Sequence, residues 1–140
     1  MTPRLTLTDA PGREAERVIE SGLDGYNEEQ AGFRDSRGLA VLISDPDTEQ
    51  VVGGLLGRTS LGLLFVDLFF IPAPLRGQDL GSRALGMAED EARRRGCVAS
   101  VLYTISFQAP EFYERLGYQR FGEIACLPAG TSRVFLSKPL

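Results

Sequence analysis

The chain contains no histidine and no tryptophan, and only two of its 140 residues are cysteines. The absence of histidine excludes a Ser-His-Asp triad, a Cys-His pair and every histidine-based metal site. Cys97 and Cys126 are too few for a zinc cluster and do not require a disulfide. Any general base must therefore be a carboxylate, a cysteine, a water molecule or the backbone, and no metal site is expected.

Long apolar runs and an excess of basic residues are also missing. The longest apolar run, at 61–71, is interrupted by Gly62 and Asp67 and is too short to span a bilayer. The formal net charge is −4, which disfavours a general nucleic-acid surface. The first four residues, Met-Thr-Pro-Arg, have no apolar segment of the kind a secretory signal carries. We therefore expect a cytoplasmic protein with no membrane or nucleic-acid partner.

The residues that are present have the composition of an ordinary globular protein. With 43% hydrophobic side chains, the chain is expected to form a single domain over residues 1–140. Alternating patterns between turn residues predict strands at 4–8, 38–43, 51–59, 63–71, 98–105, 118–124 and 131–137. Helical spacing predicts helices capped by Asp9, following Gly81 and starting at Pro110, with a polar, irregular segment at 26–37.

This order of elements, β-α-(α)-β-β-β-α-β-α-β-β, indicates an α/β protein of the α+β kind. The consecutive strand runs at 38–71 indicate an antiparallel meander and not a doubly wound parallel sheet. No internal repeat or linker to a second domain is visible in the sequence.

The helix that follows Gly81 is expected to bury an apolar stripe formed by Leu85, Ala88 and Ala92. On its other face, acidic residues precede arginines by four positions, the order that favours salt bridges. The expected pairs are Glu89–Arg93, Asp90–Arg94 and Glu91–Arg95.

The turn before this helix has a composition suited to anion binding. It reads Arg-Gly-Gln-Asp-Leu-Gly-Ser at 76–82. The first turn of a helix offers free backbone N–H groups and the positive end of the helix dipole. Gly77 and Gly81 allow the backbone to approach a bulky ligand, and Arg76 and Arg83 add positive charge. The turn suits a pyrophosphate, while an ordinary strand–loop–helix connection is the alternative.

This turn, preceded by Leu-Phe-Phe-Ile and followed by an alanine-rich helix, resembles the acetyl-CoA-binding motif of the GCN5-related N-acetyltransferases, the GNAT family. The resemblance implies that the pyrophosphate of acetyl-CoA is bound by Arg76, Gly77, Gln78, Asp79, Leu80, Gly81 and Ser82. It also implies that the backbone of Phe69, Phe70 and Ile71 pairs with the acyl arm like an added strand. Asp79 departs from the family, which has a glycine there. Aspartate tolerates the left-handed backbone better than most residues, but its carboxylate must point away from the phosphates.

A second segment, Phe-Tyr-Glu-Arg-Leu-Gly-Tyr at 112–118, resembles the Phe-Tyr-x-x-x-Gly-Phe/Tyr segment of the same family. The resemblance implies that Tyr113 faces the sulfur of the cofactor and returns a proton to the departing thiolate. A phenol with a pKa of about 10 is a suitable acid for this step. Phe112 and Leu116 indicate that the helix buries one face, so packing of Tyr113 at the edge of the core is the alternative.

Asp67 is the candidate general base, because it interrupts an otherwise apolar strand. Strict alternation places it on the same face as Phe65, Phe69 and Ile71. A buried carboxylate needs a partner or a function. Asp67 could accept a proton from an ammonium group, directly or through water, or it could accept structural hydrogen bonds.

Residues 106–109, Ser-Phe-Gln-Ala, resemble a segment in one bacterial branch of the family. By this resemblance Ser106 and Gln108 are candidates for lining the acceptor pocket; capping the helix at Pro110 is the alternative. Glu28 and Glu123 are weaker candidates for recognising the positive charge of the acceptor.

The resemblance implies the single-domain GNAT fold, with a mixed, mostly antiparallel central sheet of about six to seven strands flanked by helices. The expected function is that of an N-acetyltransferase. The resemblance implies transfer from acetyl-CoA to an amine of a small molecule or a peptide, by direct attack in a ternary complex, in a monomer or homodimer. A non-catalytic acyl-CoA-binding or sensor module on the same fold is the alternative, favoured by Asp79 and the absence of histidine. A structural α/β domain would require both motifs to be coincidental.

Overall fold

The computed structural model describes all residues from Met1 to Leu140 and contains two compact units, Met1–Arg34 and Asp35–Leu140. The single domain expected over residues 1–140 stays a prediction. None of the helices combines the length and the apolar composition needed to cross a membrane.

The first unit consists of one helix, α1, at Arg13–Ala31, preceded by a segment without regular structure. The strand predicted at 4–8 is wrong, because this unit holds no second strand that could supply a ladder of hydrogen bonds. The cap predicted at Asp9 is also wrong, since α1 begins after Gly12. The helix continues into the segment expected to be irregular and ends at Gly32, whose left-handed conformation (φ 89°) suits a helix C-terminus.

The second unit is a six-stranded sheet with two α-helices. Its elements are β1 Arg37–Ser44, β2 Val51–Ser60, β3 Leu63–Phe70, a short 3-10 helix Ala73–Leu75, α2 Leu80–Arg94, β4 Ala99–Ile105, α3 Pro110–Arg115, β5 Gln119–Ala125 and β6 Ser132–Pro139. The strand order is β1-β2-β3-β4-β6-β5, and only the β3–β4 pair is parallel. The predicted mixed, mostly antiparallel sheet is confirmed.

The parallel pair of strands separates along its length. β3 and β4 pair at three positions only, Leu63–Ala99, Leu64–Ser100 and Phe65–Val101. Beyond these pairs, β3 and β4 run on without hydrogen bonds between them, so the facing backbone groups of both strands lack a ladder partner. A gap therefore opens between the carboxyl ends of two central strands.

Helix α2 packs on one face of the sheet and encloses the core. It contacts β1, β2 and β3 through its predicted apolar stripe of Leu85, Ala88 and Ala92, all buried. The buried apolar residues are Leu39, Leu55, Leu64, Val66, Leu85, Ala88, Ala92, Cys97, Leu102, Tyr113, Tyr118, Val134 and Leu136. Each fully buried leucine contributes roughly 2 kcal/mol. This packing fixes the first turn of α2 next to the end of β3.

Glu89 lies inside this core, and the expected pair with Arg93 is wrong. Its carboxylate accepts hydrogen bonds from the hydroxyl of Tyr118 (2.8 Å) and the ammonium of Lys138 (2.9 Å). Arg93 instead pairs with Asp90, at 2.9 Å. Glu89 turns inward because it belongs to the buried face of α2, where β6 supplies a lysine.

Of the other expected pairs, only Glu91–Arg95 forms, at 2.8 Å. Glu91 also pairs with Arg94, and the hydrogen bonds from these arginines, that of Arg95 first, hold its pKa below the ordinary range. Arg95 further donates to the carbonyl of Gly38 and the hydroxyl of Thr59, both at 3.0 Å. The end of α2 is thus tied to β1 and β2.

Candidate active site

A pocket of about 810 Å³ lies where the gap between β3 and β4 meets the first turn of α2. Its walls come from the end of β3, the turn before α2, the loop after β4, and α3. The lining residues that the sequence predicted are Phe69, Phe70, Ile71, Arg76, Gly77, Asp79, Leu80, Gly81, Ser82, Gln108 and Tyr113. Residues far apart in sequence thus converge on one cavity.

The turn before α2 presents free backbone N–H groups to this pocket. The helix begins at Leu80, and its N–H groups bond back to carbonyls from Arg83 onward, whose N–H donates to the carbonyl of Asp79 at 3.0 Å. The N–H groups of Leu80, Gly81 and Ser82 therefore have no intrahelical partner. Three consecutive lining residues with free donors, at the positive end of the helix dipole, have the arrangement that anion binding requires.

Asp79 has the left-handed conformation expected of the residue that replaces a glycine, with φ 62° and ψ 8°. Its side chain is exposed and makes no capping hydrogen bond. Asp79 is the one carboxylate among the lining residues. The negative charge of Asp79 therefore lies next to the backbone N–H groups of α2 and opposes the binding of an anion to them.

Arg76 and Gly81 shape the two sides of the turn. The Nε–H of Arg76 donates to the carbonyl of Ile71 at 2.9 Å, which holds the guanidinium against the end of β3. A Cβ on Gly81 would lie 3.1 Å from the Cζ atom of Phe112, so α3 packs closely on the first turn of α2. Gln78 does not line the pocket, because its amide donates to the carbonyl of Pro74 at 3.3 Å.

Tyr113 lines the pocket and also packs within an aromatic cluster. Its ring lies 5.1 Å from that of Phe112, 5.9 Å from Tyr118 and 6.4 Å from Phe69, between centroids. The side chain is 9% exposed, and its hydroxyl has no hydrogen-bond partner in the protein. Burial raises the pKa of Tyr113 to about 12, so the phenol is protonated at neutral pH.

Gln108 and Ser106 separate in space although they are close in sequence. The side-chain oxygen of Gln108 accepts hydrogen bonds from the hydroxyl of Thr104 (2.7 Å) and the N–H of Ile105 (3.0 Å), and this residue lines the pocket. Ser106 does not line it; its hydroxyl accepts a hydrogen bond from the N–H of Ser132 at 3.0 Å. Ser106 therefore joins the end of β4 to β6.

The expectation that Asp67 is buried beside Phe69 is wrong. The β2–β3 register shifts between Leu56 and Gly57, whose partners are Leu68 and Val66, so Asp67 is an extra residue in the ladder. The shift interrupts the alternation and turns Phe69 toward the aromatic cluster. Asp67 is exposed, lies 3.9 Å from Arg58 and does not line the pocket.

The two weaker candidates have partners elsewhere. Glu28 belongs to the first unit, where it pairs with Arg34 at 3.3 Å. Glu123 accepts a hydrogen bond from the hydroxyl of Ser132 at 2.6 Å and does not line the pocket. Recognition of a positive charge by either residue stays a prediction.

Sequence reasoning did not assign four polar or aromatic residues to the pocket, Thr104, Phe107, Phe112 and Arg115. Helical spacing offered a signal for Arg115, since it follows Phe112 by three positions and therefore shares its face. Whether Thr104 and Phe107 line the pocket depends on how far β4 extends beyond its pairing with β3, and the sequence does not indicate where that pairing ends.

The pocket fits an extended ligand that carries a phosphate group at one end. A separated strand edge can pair with an amide-containing chain, and the first turn of α2 can bind a diphosphate. Two lining arginines supply positive charge. These are the requirements of an acyl-coenzyme A, so fold and site define the class of acyl-CoA-dependent transferases.

Comparison with known proteins identifies the family. The model of the acetyltransferase (GNAT) family matches residues 7–118. An acetyltransferase of Agrobacterium fabrum is 39% identical over 132 residues, which cover 94% of this chain and 96% of that protein. The blasticidin-S acetyltransferase of Streptomyces morookaense is 41% identical over 92 residues, which cover 65% of this chain and 68% of that protein.

Solved structures agree with this result. The crystal structure of an Agrobacterium tumefaciens acetyltransferase has a TM-score of 0.87 and 38% identity, covering 99% of this chain and all of that one. A Bacillus cereus acetyltransferase has a TM-score of 0.75 and 26% identity, covering 96% and 98%. The chain belongs to the GNAT family and is an acetyltransferase that uses acetyl-CoA. The resemblance found in the sequence is confirmed.

Proposed function

We propose that this acetyltransferase transfers the acetyl group to an amine nitrogen of a small polar molecule, by direct attack while both substrates are bound. One observation carries the proposal. A free strand edge, the first turn of α2 and the hydroxyl-bearing side chain of Tyr113 all border the same cavity.

Binding of the donor rests on the backbone. The N–H groups of Leu80, Gly81 and Ser82 hold the diphosphate, and Arg76 adds charge next to them. The backbone at Phe69–Ile71 aligns the acyl arm, because the gap between β3 and β4 leaves that edge without a strand partner. Holding the thioester in place supplies most of the acceleration, since orientation alone can contribute roughly 7–11 kcal/mol.

The chemical step uses Tyr113 as a general acid. The amine nitrogen attacks the carbonyl carbon of the thioester, an amide C–N bond forms, and the C–S bond breaks. The phenol donates its proton to the departing thiolate, and it regains through water the proton that the attacking nitrogen loses. A pKa raised to about 12 keeps Tyr113 protonated at working pH, as this role requires.

No general base is assigned, because the one carboxylate that lines the pocket is Asp79, at the phosphate turn. The acceptor therefore reacts as the free amine, after its ammonium has lost a proton to water. We expect kcat/KM to rise tenfold per pH unit until the pKa of the acceptor amine is reached. Two acceptors with different amine pKa values should show breaks at different pH values; a break common to both would indicate a base on the protein.

The proposed acceptor class is supported by the similarity to a blasticidin-S acetyltransferase, which is 41% identical over its matched residues. Blasticidin S is accordingly the first acceptor to test, followed by other small polar amines and by peptide N-termini. Acetylation of peptides in preference to every small amine would contradict the proposed class.

Replacing Tyr113 with phenylalanine tests the catalytic step. Removal of a general acid should lower kcat about 100-fold, with the Kd for acetyl-CoA changed less than twofold, because the ring packing is kept. Tyr103→Phe is the control, since this exposed tyrosine lies outside the pocket. An unchanged kcat in Tyr113→Phe would assign the proton to water.

Calorimetric titration with acetyl-CoA tests the binding site. Gly81→Glu should abolish binding, because it places a carboxylate and extra volume against Phe112 in the first turn of α2. Gly86→Glu on the same helix is the control, since a Cβ there meets no atom within 4 Å and the residue does not line the pocket. Equal binding by both variants would show that the donor binds elsewhere.

A further inference from the structure

We propose that Arg115 binds the 3′-phosphate of the coenzyme, so that this enzyme distinguishes coenzyme A from 3′-dephospho-coenzyme A. The inference rests on the proposed donor site and deepens it by adding a second phosphate subsite on α3.

Arg115 lines the same pocket as the first turn of α2. It is the last residue of α3 and one of two arginines that line the cavity. Phe112, three residues earlier and hence on the same helix face, packs on Gly81 in the first turn of α2. The packing of α3 on α2 therefore brings Arg115 into the cavity that the first turn of α2 also lines.

The positive charge of Arg115 is not used inside the protein. Both acidic residues of α3 face Arg120, whose guanidinium lies 3.0 Å from Glu114 and 3.9 Å from Glu111. Those carboxylates, Glu114 first, raise the pKa of Arg120. No carboxylate lies within 4.0 Å of the guanidinium of Arg115. In a chain with net charge −4, a free arginine at the rim of a pocket is placed for an anionic ligand.

The two arginines divide the phosphates between them. Arg76 is held against the carbonyl of Ile71, at the end of β3 where the diphosphate meets the acyl arm. The 3′-phosphate is a separate monoester on the ribose, with a charge of about −2 at neutral pH. A planar guanidinium can donate two parallel hydrogen bonds to such a group, which an ammonium cannot match.

The test compares coenzyme A with 3′-dephospho-coenzyme A by calorimetric titration of the intact protein. The unaltered protein should bind coenzyme A about tenfold more tightly, a difference of about 1.4 kcal/mol. Arg115→Gln should weaken binding of coenzyme A about tenfold and leave 3′-dephospho-coenzyme A unchanged, so that the ratio of the two Kd values falls to about one. Arg115→Lys should restore part of the discrimination.

Arg93→Gln is the matched control, because it removes the same charge from an exposed arginine outside the pocket and should keep the tenfold ratio. Equal binding of both ligands by the unaltered protein would overturn the proposal. So would an equal loss for both ligands in Arg115→Gln, which would assign Arg115 to the diphosphate. Failure of the unaltered protein to bind either ligand would overturn the donor site itself.

Discussion

Replacing Asp79 with asparagine should tighten the binding of acetyl-CoA. Asp79 occupies the left-handed position before α2, lines the pocket and makes no capping hydrogen bond. In the free enzyme its negative charge stabilises α2 by interacting with the positive end of the helix dipole. In the complex the same charge repels the diphosphate that we propose to bind there. Asparagine keeps the shape and the tolerance of the left-handed backbone, and it removes only the charge.

The magnitude follows from Coulomb's law. A carboxylate about 6 Å from two phosphate charges, in the water dielectric suited to an exposed side chain, is repelled by about 1.4 kcal/mol, which a Debye length of about 10 Å reduces to roughly 0.8 kcal/mol. Removal of this repulsion corresponds to a decrease in Kd of about fourfold. The free enzyme should meanwhile lose about 0.3–1 kcal/mol of stability, because a favourable charge at the helix N-terminus is gone.

Calorimetric titration at low and high salt checks both effects, together with urea denaturation of the free enzyme. The gain in affinity should shrink as the salt concentration increases, since salt screens the repulsion between the exposed carboxylate of Asp79 and the diphosphate. Asp90→Asn, a change of equal charge at an exposed position outside the pocket, should leave Kd unchanged. A weaker complex in Asp79→Asn would refute the reasoning, and would mean that the carboxylate makes a favourable contact with the ligand.

Two further predictions concern the buried polar groups. Glu89→Ala should cost about 3 kcal/mol of unfolding free energy in urea denaturation, because it leaves the buried hydroxyl of Tyr118 and a lysine without their carboxylate; a loss below 1 kcal/mol would contradict this account. Burial raises the pKa of Tyr113 to about 12 and that of Tyr118 further, so between pH 10 and 12 the folded state holds more protons than the unfolded state. The free energy of unfolding should therefore be constant well below pH 10 and fall above it, by about 2.3 kcal/mol for Tyr113 at pH 12. Thermal unfolding of Tyr113→Phe should show a shallower fall over the same pH range, and an equal slope would exclude this contribution.

Local patterns predicted most of the second unit well. The turn between β1 and β2 follows from Asp45, whose carboxylate accepts a hydrogen bond from the N–H of Asp47 at 2.8 Å, the interaction for which aspartate favours turns. The end of α2 follows from Gly96, which has φ 84°. Such features depend on residues a few positions apart, so the sequence contains the whole of their cause.

The predictions from the sequence were wrong where contacts between distant segments decide the conformation of a residue. Asp67 was expected to be buried because strict alternation was assumed, whereas one shift in the β2–β3 register exposes it. Glu89 was expected to pair with Arg93 on its own helix, but its carboxylate is buried and accepts hydrogen bonds from Lys138 on β6 and Tyr118 before β5. A strand at 4–8 was expected from its pattern alone, although a strand exists only where another strand pairs with it.

The sequence by itself determined the chemical repertoire of this protein and the sites of its local motifs. It excluded histidine chemistry and indicated two candidate segments, the turn at 76–82 and the aromatic segment at 112–118. The tertiary structure alone decided that β3 and β4 separate after three paired residues, and that α3 lies against the first turn of α2. The reason is physical: turn chemistry and helix spacing act over a few residues, whereas the gap that forms the pocket depends on strand register and core packing between segments far apart in the chain.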